Sequence, residues 1–279
     1  MEGQRALEAA GRPAEDARRD AVLLARHVLG WDDAQWLTRA RQEAAVGAST
    51  RFHTLIARRA RHEPIAYLTG EREFYGRSFV VTPDVLIPRP ETELIVDEAL
   101  LRRSAEAPRT IVDVGTGSGC LAVTLALECP SARVVATDVS DAALTVARAN
   151  AARHGVQDRI ECLRGSLLAP ARGPVDLIVA NLPYVAERDR STLPPEVADF
   201  EPATALFGGA DGLDLVRTLL PEAAALLTPG GRLIFEIGQG QLNDVRDLIE
   251  ATGNLVFRHA RQDLQGIPRT VSADATLRA

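Results

Sequence analysis

Asn181-Leu182-Pro183-Tyr184 follows directly on the apolar run Val175-Asp176-Leu177-Ile178-Val179-Ala180. A strand ending there presents a side-chain carbonyl, a rigid backbone carbonyl and an aromatic face in one small space. That set suits a planar, weakly nucleophilic amino group, such as a carboxamide or an exocyclic adenine nitrogen, whose N–H bonds it can accept. Asn and Pro also mark ordinary turns. A turn without chemistry therefore stands as the alternative until another part of the chain supplies a reactant.

A second segment supplies one. Ile111-Val112-Asp113-Val114 runs into Gly115-Thr116-Gly117-Ser118-Gly119. Glycines at alternate positions let the backbone turn tightly and approach a ligand with no Cβ in the way, and a helix beginning there adds free N–H groups. Cys120 stands where a dinucleotide fingerprint would place its third glycine. The next apolar run ends in Asp138, where a carboxylate can accept from both hydroxyls of a ribose. With Asp113 beneath the loop, the pattern looks like the S-adenosyl-L-methionine site of a class I methyltransferase. A nicotinamide dinucleotide site is the weaker reading, because a pyrophosphate wants that third glycine.

The elements that must position these residues alternate from Arg109 onward. Strands are expected at 110–114, 133–137, 159–163, 175–180 and 232–237, and helices at 120–128, 141–154, 213–227 and 241–252. Strands near 255–259 and 269–271 close the sheet. Such alternation implies a doubly wound α/β domain with a mainly parallel sheet. Before it, residues 1 to about 70 show helical periodicity and no strand-like run, with Trp31-Asp32-Asp33-Ala34 a helix restart carrying an Asp at its N-cap and Trp31 and Trp36 expected in the core. Between the two, Phe74 to Val81 reads as strand, Gly76 turn and strand; Val85-Leu86-Ile87 extends this hairpin connector, and Pro88-Arg89-Pro90-Glu91-Thr92-Glu93 opens a helix. The domains expected are thus 1–72 helical, 73–88 connector and 89–279 catalytic.

Composition narrows the chemistry. All 32 basic residues are arginine, so lysine Schiff bases and lysine nucleophiles are excluded. A net charge of −6 gives no overall pull on nucleic acid, although Arg58, Arg59 and Arg61 form a local basic cluster. Cys120, Cys129 and Cys162 form no CxxC pair, and the five histidines lack metal-ligand spacing, so no metal site is expected. No apolar run is long enough to span a bilayer and no signal peptide opens the chain, which makes a cytoplasmic protein the expectation.

Further segments are more specific. Upstream stand Tyr67-Leu68-Thr69-Gly70-Glu71 with Phe74, then Leu86 to Glu93; downstream stand Glu201-Pro202, Ala205-Leu206-Phe207-Gly208-Gly209 and Asp211-Gly212-Leu213. With 113–119 and 181–184, these resemble the peptide-chain release factor glutamine methyltransferases, often called PrmC or HemK, over essentially the whole chain. The resemblance implies a class I S-adenosylmethionine-dependent methyltransferase fold: a Rossmann-like, mainly parallel seven-stranded sheet with a small all-helical N-terminal domain that docks the substrate. It implies methylation of the glutamine amide nitrogen (N5) in the Gly-Gly-Gln motif of bacterial class I release factors, by a monomer that binds neither nucleic acid nor membrane. Asn181 Oδ1 and the Leu182 carbonyl would accept the substrate N–H bonds, Pro183 would hold Leu182 extended, and Tyr184 would pack on the amide. Asp113, Gly115, Thr116, Gly117, Ser118, Gly119, Asp138, Ser166 and Asn181 would contact the cofactor. Arg89, Glu91 and Glu236 either shape the pocket or form surface pairs.

Two positions depart from the family pattern: Leu182 where the motif usually has a second proline, and Gly165-Ser166-Leu167 where it has an aspartate and a large side chain. Three other readings stay open: an adenine N6-methyltransferase of nucleic acid, a ribosomal-protein glutamine methyltransferase, and a non-catalytic binder of the same cofactor.

Overall fold

The computed structural model describes residues 2–40, 42, 46–101 and 108–276. The chain divides into two compact units, Met1–Glu71 with Pro194–Phe200, and Arg72–Leu193 with Glu201–Ala279.

The first unit is helical: α1 (Glu2–Ala9), α2 (Ala14–Leu29), α3 (Asp33–Arg39), α4 (Ala48–Arg59) and α5 (Ile65–Thr69). Ala17, Ala21 and Leu24 recur at helical spacing on α2 and bury one face against Leu7, Ile56 and Leu68. Asp32 caps α3 in a reciprocal capping box with Gln35. Trp31 and Trp36 are not in this core. They are half-buried and pack on each other at 6.4 Å, because the short helix α3 has no fully buried face of its own. Of the basic cluster, Arg61 is exposed while the other two are engaged in ion pairs. Arg58 pairs with Glu63, and Arg59 is buried with its Nε donating to Asp20 at 2.7 Å and Nη2 to Glu196 at 2.9 Å. Arg12 lies against the same two acids, Nε 3.1 Å from Asp20 and Nη2 2.8 Å from Glu196. Glu196 sits on α9 (Pro195–Ala198), the part of this unit contributed from far along the chain.

The second unit begins with a hairpin, β1 (Glu71–Phe74) and β2 (Arg77–Val80). Its strands pack into this unit: Phe74 and Phe79 are buried in the core, and Asn150 exchanges hydrogen bonds with both the N–H and carbonyl of Val80. Val85-Leu86-Ile87 forms no strand. After a 3₁₀ turn at Pro90–Thr92 come α6 (Glu93–Leu100), β3 (Thr110–Val114), α7 (Cys120–Glu128), β4 (Arg133–Asp138), α8 (Asp141–Arg153), β5 (Ile160–Arg164) and β6 (Val175–Ala180). Then follow α10 (Asp214–Leu226), β7 (Leu227–Glu236), α11 (Leu242–Ala251), β8 (Leu255–Gln262) and β9 (Pro268–Ala275).

Seven strands form one sheet in the order β5-β4-β3-β6-β7-β9-β8, with β9 antiparallel to both its neighbours. β3 and β6 are buried on both faces, which is why they read as nearly unbroken apolar runs. Alternation along the strands sorts their side chains. Ile111, Leu177, Val179 and Ile234 face the layer of α6, α7, α8 and the hairpin, whereas Val112, Ile178, Leu233 and Phe235 face α10 and α11. Strand β7 starts five residues earlier than its sequence pattern, at Leu227 rather than 232, because Pro229-Gly230-Gly231 is carried through a register shift opposite Val175/Leu177 instead of ending the strand. The strand order reverses between β3 and β6, and the carboxyl ends there open into a crevice.

Candidate active site

The crevice is a cavity of about 500 Å³. Its floor follows from register. Val179 pairs with Ile234 and Ala180 with Phe235, so the next residue on β6, Asn181, lies beside Glu236, and both belong to the face covered by α6. Thr92, just before α6, reaches this point. Asn181 Nδ2 donates to Thr92 Oγ1 at 2.9 Å, Thr92 Oγ1 donates to Glu236 Oε2 at 2.7 Å, and Tyr184 OH donates to Glu236 Oε1 at 3.0 Å. Burial pushes the Glu236 carboxyl upward, opposed by the Thr92 and Tyr184 bonds. Burial likewise pushes the Tyr184 phenol up, aided by neighbouring Glu236.

The glycine segment closes the opposite wall. Gly115, Gly117 and Gly119 all have positive φ, and Gly119 caps α7 with no room for more: a Cβ there would meet Ala147 at 3.1 Å. This third glycine therefore lets α7 and α8 pack closely. Asp113 lies 1 % exposed beneath the loop, accepting from Thr116 Oγ1 at 2.6 Å and from the Ala122 N–H at 3.0 Å, both on Oδ2. Burial pushes it up to about 7 against those two bonds. Asp138 lines the cavity; its Oδ2 accepts from the Gly117 N–H at 3.0 Å and its Oδ1 from the Ser140 N–H at 2.9 Å. Each oxygen keeps a lone pair, which fits the two hydroxyls of a ribose.

Leu182 joins the two walls. Its side chain is buried against the loop and would lie 3.3 Å from a Cβ on Gly115. The backbone of the tetrapeptide is braced from behind by the segment after Leu206. Val185 N–H donates to Leu206 O, Gly208 N–H to Val185 O, and Gln241 Nε2 to Tyr184 O at 3.0 Å. A Cβ on Gly208 would come within 2.3 Å of the Pro183 carbonyl, and one on Gly212 within 2.1 Å of the Tyr184 carbonyl. Arg89 pairs with buried Glu201, which also accepts from the Ile87 N–H at 3.3 Å, so these two fix the segment before Thr92.

Among the residues singled out from the sequence, Asn181, Leu182, Pro183, Gly115, Thr116, Gly117, Ser118, Asp138 and Ser166 line this one cavity. Three do not. Asp113 lies under the loop, Gly119 ends the loop against Ala147, and Tyr184 points its hydroxyl at Glu236 rather than offering its ring to the cavity. Glu236 is neither a cap nor a surface pair but a buried acceptor. Thr92 was passed over; its one signal in the sequence is its place in the segment 86–93.

A doubly wound sheet with a glycine-rich first turn, an acid closing the second strand and an Asn-x-Pro-Tyr closing the fourth defines a class I S-adenosylmethionine-dependent methyltransferase. Comparison with known proteins agrees. Residues 1–70 match the PrmC N-terminal domain family, and residues 92–194 match the methyltransferase small domain family. A release factor glutamine methyltransferase of Cereibacter sphaeroides is 44% identical, with 96% of this chain and 94% of that protein covered. One of Moorella thermoacetica is 48% identical over 83% of each. The chain belongs to the release factor glutamine methyltransferase family. Solved structures share the fold: a methyltransferase of Pyrococcus furiosus (TM-score 0.56, 18% identity, 82% of this chain and 98% of that one) and the hMettl16 catalytic domain in complex with an RNA hairpin (TM-score 0.58, 16% identity, 83% and 82%). The cofactor is S-adenosyl-L-methionine, and the loop, Asp138 and the cavity fit it.

Proposed function

We propose that this chain methylates the side-chain amide nitrogen (N5) of the glutamine in the Gly-Gly-Gln motif of bacterial class I release factors. The observation that carries the reading is the Asn181 amide. Its nitrogen is committed to Thr92, which leaves its oxygen as the acceptor at the wall of the cavity that the glycine loop and Asp138 share.

An amide nitrogen is a poor nucleophile because its lone pair is delocalised into the carbonyl. Asn181 Oδ1 and the Leu182 carbonyl accept its two N–H bonds, aim the nitrogen and favour its loss of planarity. The cofactor supplies an activated methyl sulfonium, so positioning accounts for much of the rate. Positive charge develops on the nitrogen during transfer, and the two carbonyl dipoles stabilise it there. The nitrogen's surplus proton leaves to water, so no strong base is required. Asp138 holds the ribose, and the N–H groups at the start of α7 lie at the loop.

The helical unit, which matches the PrmC N-terminal domain family, is the part that docks the release factor. Among the described residues no helix is long and apolar enough to cross a membrane; the chain acts in the cytoplasm as a monomer, without direct nucleic-acid binding. The test is to incubate it with labelled S-adenosyl-L-methionine and, separately, a release factor, ribosomal RNA or ribosomes. Label on the release factor, assigned by mass spectrometry to the Gly-Gly-Gln glutamine, is expected. Label on RNA alone, or on a ribosomal protein alone, overturns the reading.

A further inference from the structure

Thr92 has a single hydroxyl proton, and the structure commits it to Glu236. An ionised carboxylate only accepts. Thr92 Oγ1 is then left with lone pairs alone for Asn181, and only the Nδ2 end of that amide can donate to them. The polarity of the whole chain of bonds, from Glu236 through Thr92 to Asn181, thus runs in one direction, and it ends with Asn181 Oδ1 turned to the cavity.

We infer that Glu236, acting through the Thr92 hydroxyl, is the positioning residue that decides which end of the Asn181 amide meets the substrate. The inference rests on the proposed function above, in which Asn181 Oδ1 accepts from the substrate amide. Reversal follows from the same inventory. A neutral Glu236 carries a proton of its own. Tyr184 OH already donates to Oε1, so that proton falls to Oε2, which faces Thr92. Glu236 then donates to Thr92 and Thr92 donates onward. The bond is satisfied only if Asn181 turns over and offers its oxygen inward. The cavity then meets an NH₂ group, which cannot accept the N–H of a substrate amide. The groups facing the carboxyl are few: Thr92 before α6, Tyr184 after β6, and the charges of Glu91 and Arg269, which oppose each other. Burial favours the neutral form, and the Thr92 and Tyr184 bonds favour the ionised one.

The test is a cycle of variants, assayed on a release factor. Glu236→Gln keeps the shape, and with Tyr184 OH still donating to the amide oxygen it puts an NH₂ group where Oε2 stands, which reverses the direction. Its kcat should fall about a hundredfold, as for loss of a preorganised dipole, while S-adenosyl-L-methionine affinity measured by calorimetry stays the same. Thr92→Val cuts the relay, freeing the amide to turn either way, and should cost about tenfold, part of that same range. In the Thr92→Val background the added Glu236→Gln change should cost nothing further in kcat. The wild type should lose activity at the acid end of its pH profile, and Thr92→Val should lack that limb. A structural role for Glu236 predicts penalties that multiply in the double variant; that result, or an unimpaired Glu236→Gln single variant, overturns the inference. The Asn181 side-chain amide resonances in cofactor-free protein give a readout independent of the substrate. They should change environment in Glu236→Gln, and identical resonances overturn the relay. If the wild type methylates no glutamine at all, the functional reading fails instead, and the resonances still decide the relay.

Discussion

The two ends of an asparagine side chain have nearly the same shape and opposite polarity, so what position 181 does depends on its partners. Replacing Asn181 by Ala removes an acceptor and leaves the glycine loop and Asp138 in place; kcat should fall at least about a hundredfold with calorimetric affinity for S-adenosyl-L-methionine roughly intact. Asp138→Ala should do the reverse, weakening cofactor binding about tenfold or more, by the loss of hydrogen bonds to a charged acceptor, while saturating cofactor restores much of the turnover. Asp113 predicts a pH effect. Its folded value of about 7 lies above its ordinary carboxylate value of about 3.9. An acid raised in this way gives its full stabilising contribution below the unfolded value and loses it as pH rises through the folded one. Denaturant midpoints should therefore decline between about pH 4 and pH 7 through this residue, and Asp113→Asn should flatten that stretch; an unchanged slope would show that Asp113 stays ionised. At this scale the sequence disclosed residue types and not their partners. The tetrapeptide and Asp138 were legible because each ends an apolar run. Thr92 was not, because its partners Asn181 and Glu236 stand 89 and 144 residues away, and nothing local distinguishes a relay hydroxyl from a helix-start threonine.

Elements succeed or fail as signals according to how they are buried. Strands β3 and β6, enclosed on both faces, have continuous apolar runs, and their bounds could be read directly. Strand β7 carries Pro229-Gly230-Gly231, ordinarily a turn, and its first half was hidden by that chemistry. The hairpin was visible through its alternation and Gly76, yet its attachment was not, since Asn150 ties it down from the middle of another helix. The segment after Leu206 was noticed only by resemblance; in the fold it is the support on which the tetrapeptide backbone rests. Gly208→Ala tests this. The added methyl meets the Pro183 carbonyl at 2.3 Å, and backbone cannot yield as a side chain can. We expect stability to fall by about 1–3 kcal/mol, and kcat to drop by more than stability alone explains, because the Leu182 and Pro183 carbonyls are displaced. Wild-type kinetics in a folded Gly208→Ala variant would mean the brace is dispensable.

The molecule as a whole holds two units whose stability has different sources. The catalytic unit has a sheet covered on both faces; the helical unit has a small core and a cluster in which buried Asp20 and Arg59 are joined by half-buried Arg12 and Glu196. Removing one member of such a cluster leaves the others desolvated and unpaired. Arg59→Leu should destabilise the helical unit by about 3–5 kcal/mol, seen as an early phase in urea unfolding, while a matched Asp20→Asn change recovers part of the loss. Measured unfolding that keeps one unshifted transition would show that the cluster contributes little. The alternation of strands and helices made the catalytic half legible as a class. Glu196 was not legible as part of the helical half, because composition changes nowhere near it.

The helical unit is written in two places: residues 1–71, and a short return at 194–200 that lies just downstream of the catalytic tetrapeptide. It cannot be exchanged as a terminal cassette. A chimera that takes only the first seventy residues from a relative inherits arginines shaped for one acidic partner and receives another. Transplanting the helical unit between members of this family requires two grafts, and the second is cut into the stretch that follows the tetrapeptide.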